Sequence, residues 1–226
     1  MMKKLAERII AIVFAAAVMF FILTFSIGLP IYCRSFYYAQ VDSLELPEQT
    51  GFSDSVIREA YDELLDYLTR GRDFGTGALY WSESGKAHFE DCKILFDLDR
   101  NVLFVSAAAI AVCVLLSVFC TKQDLRKSLA IGGLLSVGIP LCLGIIAFCD
   151  FDRAFSLFHS LLFPGKTNWV FDPLYDQIIL ILPERFFMNC GLLILCSVLV
   201  LAAVAVVSGL SGKRRKRNGS LPETQH

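Results

Sequence analysis

Four unbroken apolar blocks, residues 9–29, 102–120, 129–148 and 186–210, set the terms on which this chain can fold. As a helix rising about 1.5 Å per residue, each is long enough to cross a hydrocarbon core of about 30 Å. None has a charged residue in its interior. One charge at the centre of such a span would cost roughly 2.5–3.5 kcal/mol on insertion. Lipid offers the backbone no hydrogen-bond partners, so segments of this kind close their own bonds as helices. The expected fold is therefore an all-α polytopic membrane protein with four transmembrane helices. The 55% hydrophobic content and mean hydropathy of +0.58 exceed what a soluble domain carries. The chain reads as a single four-span membrane domain over 1–226, with loops 32–101 and 149–185 and a tail 211–226.

A net charge of −1 conceals a strong asymmetry. Lys3, Lys4 and Arg8 precede the first block, Lys122, Arg126 and Lys127 fill the connection between the second and third, and KRRKR at 213–217 follows the fourth. The positive-inside rule puts these segments, and both termini, in the cytoplasm. The loops 32–101 and 149–185 then form a small extracytoplasmic cap, which places His88 and His159 on one side. The N-terminal block resembles a secretory signal but is about twice the usual apolar length and has no small-residue cleavage site, so it reads as an uncleaved anchor. Ile31 and Tyr32 are too bulky for a lipobox before Cys33. The basic run at 213–217 follows a membrane span directly, which suits topology and anionic lipid rather than nucleic acid. The LPETQH end has no hydrophobic segment after it and carries no sorting function, and His226 is a chain end.

Of eight cysteines, Cys113, Cys120, Cys142 and Cys196 fall in apolar blocks, where the residue acts as a small hydrophobe. Cys33, Cys92, Cys149 and Cys190 lie near the outer face, where an oxidising compartment permits pairing. No CxxC, zinc spacing or glycine-rich phosphate loop occurs, so neither metal nor cofactor is expected.

In the first outer loop, Phe36, Tyr37 and Tyr38 form a candidate interfacial belt, and Pro47 and Gly51 break regularity. Ser53 is a candidate N-cap for an amphipathic helix ending at Arg70 and Gly71, with Ile57, Tyr61, Leu64, Leu65 and Leu68 on one stripe. If the chain is helical from Ala87, then His88, Asp91 and Cys92 share a face. Asp91 is then a candidate to orient His88. The second loop carries an amphipathic helix over 151–163. Its stripe of Phe151, Phe155, Phe158 and Leu162 is expected toward lipid, with Asp152, Ser156 and His159 on the polar side. Asp152 is a candidate to orient His159, whereas Ser156 reads as ordinary surface polarity rather than a nucleophile. Residues 166–187 read as an interfacial aromatic loop, with Pro183 and Glu184 suited to the first turn of the last span.

The blocks SESGKAHFEDCK at 82–93 and FSLFHSLLFPGKTNWVFDPLYDQIILILPERFF at 155–187 resemble the lipoprotein intramolecular transacylases, the Lit family of bacterial membrane proteins. Phe-x-x-Phe-His, Asn-Trp-x-Phe-Asp-Pro and Pro-Glu-x-Phe-Phe are specific in combination, and with the four-span layout the likeness covers nearly the whole chain. Cys92 stands where the family's His-x-x-Asp-Val-Lys form has valine. The resemblance implies a bacterial cytoplasmic-membrane enzyme whose partner is the lipidated N-terminus of a lipoprotein in the outer leaflet. It implies transfer of the sn-2 acyl chain of a diacylglyceryl-cysteine to that cysteine's own amine, without cofactor. Histidine both accepts and donates protons near neutrality, which makes His88 and His159 the expected acid/base pair. Asn168 or Arg185 is expected to bind the oxyanion or the headgroup. Two rival readings are a noncatalytic tetraspan scaffold and a quinone-linked thiol oxidoreductase; the latter needs two communicating cysteine pairs, and neither loop offers a close pair.

Overall fold

The computed structural model describes residues 2–218, with side chains as far as Ser211. The helices are α1 (Met2–Tyr32), α2 (Arg34–Ser43), α3 (Leu46–Thr50), α4 (Asp54–Arg70), α5 (Glu83–Leu116), α6 (Arg126–Cys149), α7 (Phe151–Leu162) and α8 (Glu184–Asn218). A π-helical turn, Ser117–Thr121, closes α5, and a 3₁₀ turn, Gln177–Leu180, precedes α8. No strand occurs among the described residues. The four apolar blocks fall within α1, α5 with its closing turn, α6 and α8, the helices long and apolar enough to cross a membrane. The LPETQH end and His226 lie outside the described residues, as do the side chains of the basic run at 213–217.

The chain divides into two units that share these long helices. One comprises residues 1–26, 102–141 and 195–226. In it, α6 meets two neighbours through adjacent glycines. A Cβ on Gly132 would lie 2.5 Å from the Ala15 carbonyl oxygen of α1, and one on Gly133 would lie 2.8 Å from Ala205 Cβ of α8. Lipid tails are as apolar as the side chains, so helices here gain little by leaving lipid. Close backbone approach through small residues supplies the association instead.

The other unit, residues 27–101 and 142–194, contains the two long connections between apolar blocks and a hydrophobic core. Its centre is α4, whose sequence dictates its ends: the Val56 N–H donates to Ser53 Oγ at the start, and Gly71 takes φ +68° at the finish. Its apolar stripe, Ile57, Tyr61, Leu64, Leu65 and Leu68, is buried as expected. It packs in one cluster with Val41 of α2, Leu46 of α3, Ile178, Ile181 and Phe186.

The aromatic run before α4 departs from expectation. Tyr37 is not interfacial but fully buried: its ring stacks on Tyr61 at 3.6 Å, meets Phe186 edge-on at 5.3 Å, and its hydroxyl donates to the Ile181 carbonyl at 2.9 Å. Residues 34–43 form a helix, and its inward face takes Tyr37 and Val41 together. That burial is tolerable because the phenol finds an acceptor. Tyr38 turns outward and donates to Asp62, which also receives Arg34.

The glycine contacts generate a test. Gly132→Ala and Gly133→Ala force backbones apart and are expected to cost about 1–3 kcal/mol each. Gly138→Ala, on the same helix with nothing within 4 Å, leaves stability unchanged or raises it through helix propensity. Thermal unfolding in detergent measures the contrast, and equal midpoints for all three variants would contradict the packing described.

Candidate functional site

From Glu83 to Arg100, α5 carries charges, and its uncharged apolar block starts only at Val102. The charged part belongs to the unit built around α4, and its position is set at its first turn. Asp176 is buried, and its carboxylate accepts from the Ser82 N–H and the Ser82 hydroxyl, both at 2.8 Å. Ser82 in turn caps the helix, accepting from the Gly85 N–H at 3.0 Å. A carboxylate here also meets the positive end of the helix dipole. Tyr80 and Gln177 exchange two further bonds, the Gln177 N–H to the Tyr80 carbonyl and the Tyr80 N–H to Gln177 Oε1. A Cβ on Gly85 would sit 2.1 Å from Asp176 Oδ1, so only glycine leaves room for this clamp. The clamp ties the segment after α7 to the start of α5.

With those segments joined, His88 of α5 and His159 of α7 face each other, ring centroids 5.8 Å apart and each at least nine-tenths buried. Aromatic rings enclose them. Phe163 lies 5.0 Å and Phe171 5.5 Å from His88, and Trp169 stacks on His159 at 4.7 Å. Trp169 and Phe171 are thus walls of the site rather than interfacial anchors, because the clamp draws their loop over α5.

The expected face of α7 is also corrected. Its one buried residue is His159, while Asp152 and Ser156 are exposed along with Leu157, Phe158, Leu161 and Leu162. Burial of His159 is possible because its Nδ1–H donates to the Phe155 carbonyl at 2.8 Å, one turn back. A carbonyl only accepts, so Nδ1 holds the hydrogen and Nε2 the lone pair. The orienting group of His159 is thus a backbone oxygen; Asp152 lies two turns away, about 10 Å along the axis.

His88 has no bond to Asp91 either. Its Nε2 lies 3.4 Å from Cys92 Sγ, and its Nδ1 is buried without a partner. Asp91 instead joins Lys166 at 2.5 Å and the Asn168 Nδ2 at 3.2 Å. Since an ionised carboxylate only accepts, the amide's NH₂ must face Asp91. The Asn168 Oδ1 is then left buried and unpartnered. The site therefore holds two buried polar atoms free for a ligand, one on His88 and one on Asn168. Arg185 stands apart, exposed in the first turn of α8. Lys166 and Asp176 are the site's supports that sequence reasoning missed: the carboxylate pairing of Lys166 spans two loops, and nothing in local spacing announces it.

Electrostatics follow from burial. Desolvation, with smaller contributions from His159 and Lys166 that outweigh Asp91, lowers the His88 pKa to about 4. His159 is also lowered by burial, against the opposing bond from its ring to the Phe155 carbonyl. The Lys166 bond holds Asp91 below its usual value, and burial pushes the Cys92 thiol up to about 12. At neutral pH both rings are uncharged, beside an ionised Asp91 and a protonated thiol. All eight cysteines are free, and no His, Cys, Asp and Glu cluster among the described residues has metal-site geometry.

The chain as a whole is similar to known proteins. The family model for the lipoprotein intramolecular transacylase Lit matches residues 12–187. No curated protein matches the chain. Among solved structures, the membrane integral lipoprotein intramolecular transacylase Lit from Bacillus cereus is similar at 28% identity, with 94% of this chain and 98% of that chain covered and a TM-score of 0.86. Two histidine variants of that Bacillus cereus protein are similar at 27% identity and TM-score 0.81. For the substitution to arginine, 97% of each chain is covered; for that to alanine, 96% of this chain and 98% of the other.

Imidazole titration followed by NMR of labelled histidine in the full chain tests the site's electrostatics. His88 is expected to gain its proton only near pH 4, and His159 below the ordinary value of about 6.5. Lys166→Met removes a cation that lowers His88 and leaves Asp91 facing it, so the His88 midpoint moves upward. A ring titrating at or above 6.5 in the unsubstituted protein would overturn the description.

Proposed function

Because this chain belongs to the lipoprotein intramolecular transacylase family, Lit, and is thus an acyltransferase of the membrane, we propose that its paired imidazoles move an acyl chain within one lipoprotein headgroup. The reading is that the sn-2 acyl group of a diacylglyceryl-cysteine passes to the amine of the same cysteine, leaving an N-acyl, S-monoacylglyceryl product. The observation that carries it is the meeting of His88 and His159, from distant segments, in one buried aromatic enclosure. The basic segments flanking the spans support cytoplasmic termini and an outward site in the bacterial cytoplasmic membrane. The exposed apolar residues of α7 suit contact with lipid.

The roles follow from the hydrogens. His159 has its lone pair on Nε2 and is the base. The substrate amine attacks the ester carbonyl, a C–N bond forms and the carbonyl oxygen becomes an oxyanion. His159 takes the nitrogen's proton and returns it to the glycerol oxygen as the C–O bond breaks, so atoms and charge balance. With the Cys92 thiol donating to Nε2, His88 carries hydrogen on Nδ1, and this unpartnered N–H stabilises the oxyanion. Asn168 Oδ1 accepts a hydrogen bond from the substrate's ammonium, which gives up one proton to bulk water before the attack, and that proton is the one released in the net reaction. Arg185, exposed in the first turn of α8, is left for the substrate headgroup. Amine and ester belong to one molecule, so holding them in a near-attack pose gains the large effective concentration of an intramolecular reaction, about 10⁵ M or more. No cofactor enters the reading.

Expression in a host whose lipoproteins are diacylated, with mass spectrometry of their N-terminal peptides, tests the proposal. Transfer appears as acyl relocation to the amine without change of mass. His88→Ala and His159→Ala each reduce it at least a hundredfold while the protein still inserts. Replacing Cys33, Cys92, Cys149 and Cys190 with serine leaves it largely intact, since a serine hydroxyl at 92 still donates to His88. An unchanged lipopeptide from the well-expressed protein would favour a scaffold, and loss in the serine variant with a thiol redox defect would favour an oxidoreductase.

A further inference from the structure

On the side of α5 turned away from the histidines lies a second concavity. At 100° per residue, Lys86 and Lys93 stand about 140–160° around the helix from His88, with Phe89 between the two faces. Lys86 and Lys93 line a groove of about 510 Å³ with Tyr67, Arg72, Phe74 and Trp81; Asp73 is its one acidic lining residue. The groove is built rather than incidental. Phe74 meets both Tyr67 and Trp81 edge-on, at 5.1 and 5.2 Å. Lys93 Nζ lies 4.2 Å over the Tyr67 ring and Lys86 Nζ 5.9 Å from the Trp81 ring. Neither lysine, nor Arg72, has a carboxylate partner among the described residues. The two lysines, parked by aromatic rings, keep their charge available, and with Arg72 they set three cations against one acid in the lining of the cleft, which favours an anion.

We propose that this groove binds an acidic stretch of polypeptide, the segment that follows the lipidated cysteine of the substrate. The proposal rests on the transacylase reading above and names a specificity element for it. Two observations favour peptide over a phospholipid headgroup. One cluster of exposed apolar residues suited to lipid, Leu157, Phe158, Leu161 and Leu162, belongs to the helix on the histidine side, whereas the groove opens on the other face of α5 and its lining is mostly charged and aromatic. Lys86 also stands two turns farther than Lys93 from the apolar block that begins at Val102, so the cations extend along α5 instead of ringing one depth. The groove is joined to the site by one side chain: Phe89 lies 6.1 Å from Phe74 in the groove, 5.5 Å from Phe171 and 5.8 Å from His88. A peptide seated there fixes the headgroup through contacts made equally in ground and transition states, which lowers KM and leaves kcat alone.

The test uses the full chain in nanodiscs with synthetic diacylglyceryl-cysteinyl peptides that carry either two aspartates or two asparagines after the cysteine. The acidic substrate is expected to show a KM about tenfold lower at equal kcat, an advantage that shrinks with salt and vanishes in the Arg72→Gln/Lys86→Gln/Lys93→Gln variant. A second measurement needs no turnover. Trp81 is one of only two tryptophans, so the lipid-free acidic peptide should change its fluorescence, and Trp81→Phe should remove the response. Equal KM values together with an unresponsive Trp81 would overturn the groove. A Trp81 response to phosphatidylglycerol nanodiscs but not to the peptide would also overturn it, assigning the cleft to lipid. Absence of turnover with a Trp81 response intact would count against the transacylase reading and for the groove.

Discussion

The buried carboxylate of Asp176 is the contact on which the geometry around the paired histidines depends. It accepts two hydrogen bonds from Ser82 at the first turn of α5 and lies against a glycine that leaves it no spare room. A buried carboxylate is costly unless its lone pairs are filled, and here a backbone N–H, a hydroxyl and the helix dipole all face it. The loop between α7 and the last span is thereby held at one register along α5. Phe171, five residues before Asp176, is brought by that register to within 5.5 Å of the His88 ring.

Two imidazoles at 5.8 Å would repel if charged, and desolvation already disfavours the charged form of each. The enclosure therefore keeps both rings neutral, which is the state a base and an N–H donor require. The hydrogen of His159 is then placed by a group with no choice of role. The Phe155 carbonyl only accepts, so His159 is oriented without an acid, and Asp91 is free to serve Asn168 and Lys166. A carboxylate bonded directly to either ring would have stabilised the imidazolium and raised its pKa. The arrangement instead keeps the negative charge one residue removed from the chemistry.

What was legible in the sequence is what local rules determine. Span lengths, the Ser53 cap, the Gly71 stop and the buried stripe of α4 follow from periodicity and capping within a few residues of one another, and the structure has them. The histidines were legible as chemistry, and the structure brings them together. Their partners were not: Asp91 and Asp152 share a helical face with their histidines, yet spacing places residues on a face without saying which of them a neighbouring loop will claim. Lys166 claims Asp91, and a backbone oxygen claims His159. Tyr37 and Trp169 misled in the same way, because an amphipathic ring suits a membrane interface and a capped interior equally well. Only the tertiary acceptor, the Ile181 carbonyl for Tyr37, distinguishes the two.

The two units are held by opposite means, and the difference has a functional consequence. Where the surroundings are lipid, α6 approaches α1 and α8 through glycines, and specificity comes from the fit of backbones. In the unit built around α4, apolar burial and bonds such as that from Ser82 to Asp176 do the holding, and both depend on water being expelled. The imidazoles belong to that second regime. Their neutrality and the strength of any bond they make to a substrate grow with the dryness of the enclosure, which Phe163, Phe171 and Trp169 supply. A reaction that must exclude hydrolysis while moving an acyl group a few ångströms gains directly from that dryness. On the proposed transfer, the aromatic walls that looked like membrane anchors would in this sense be part of the chemistry.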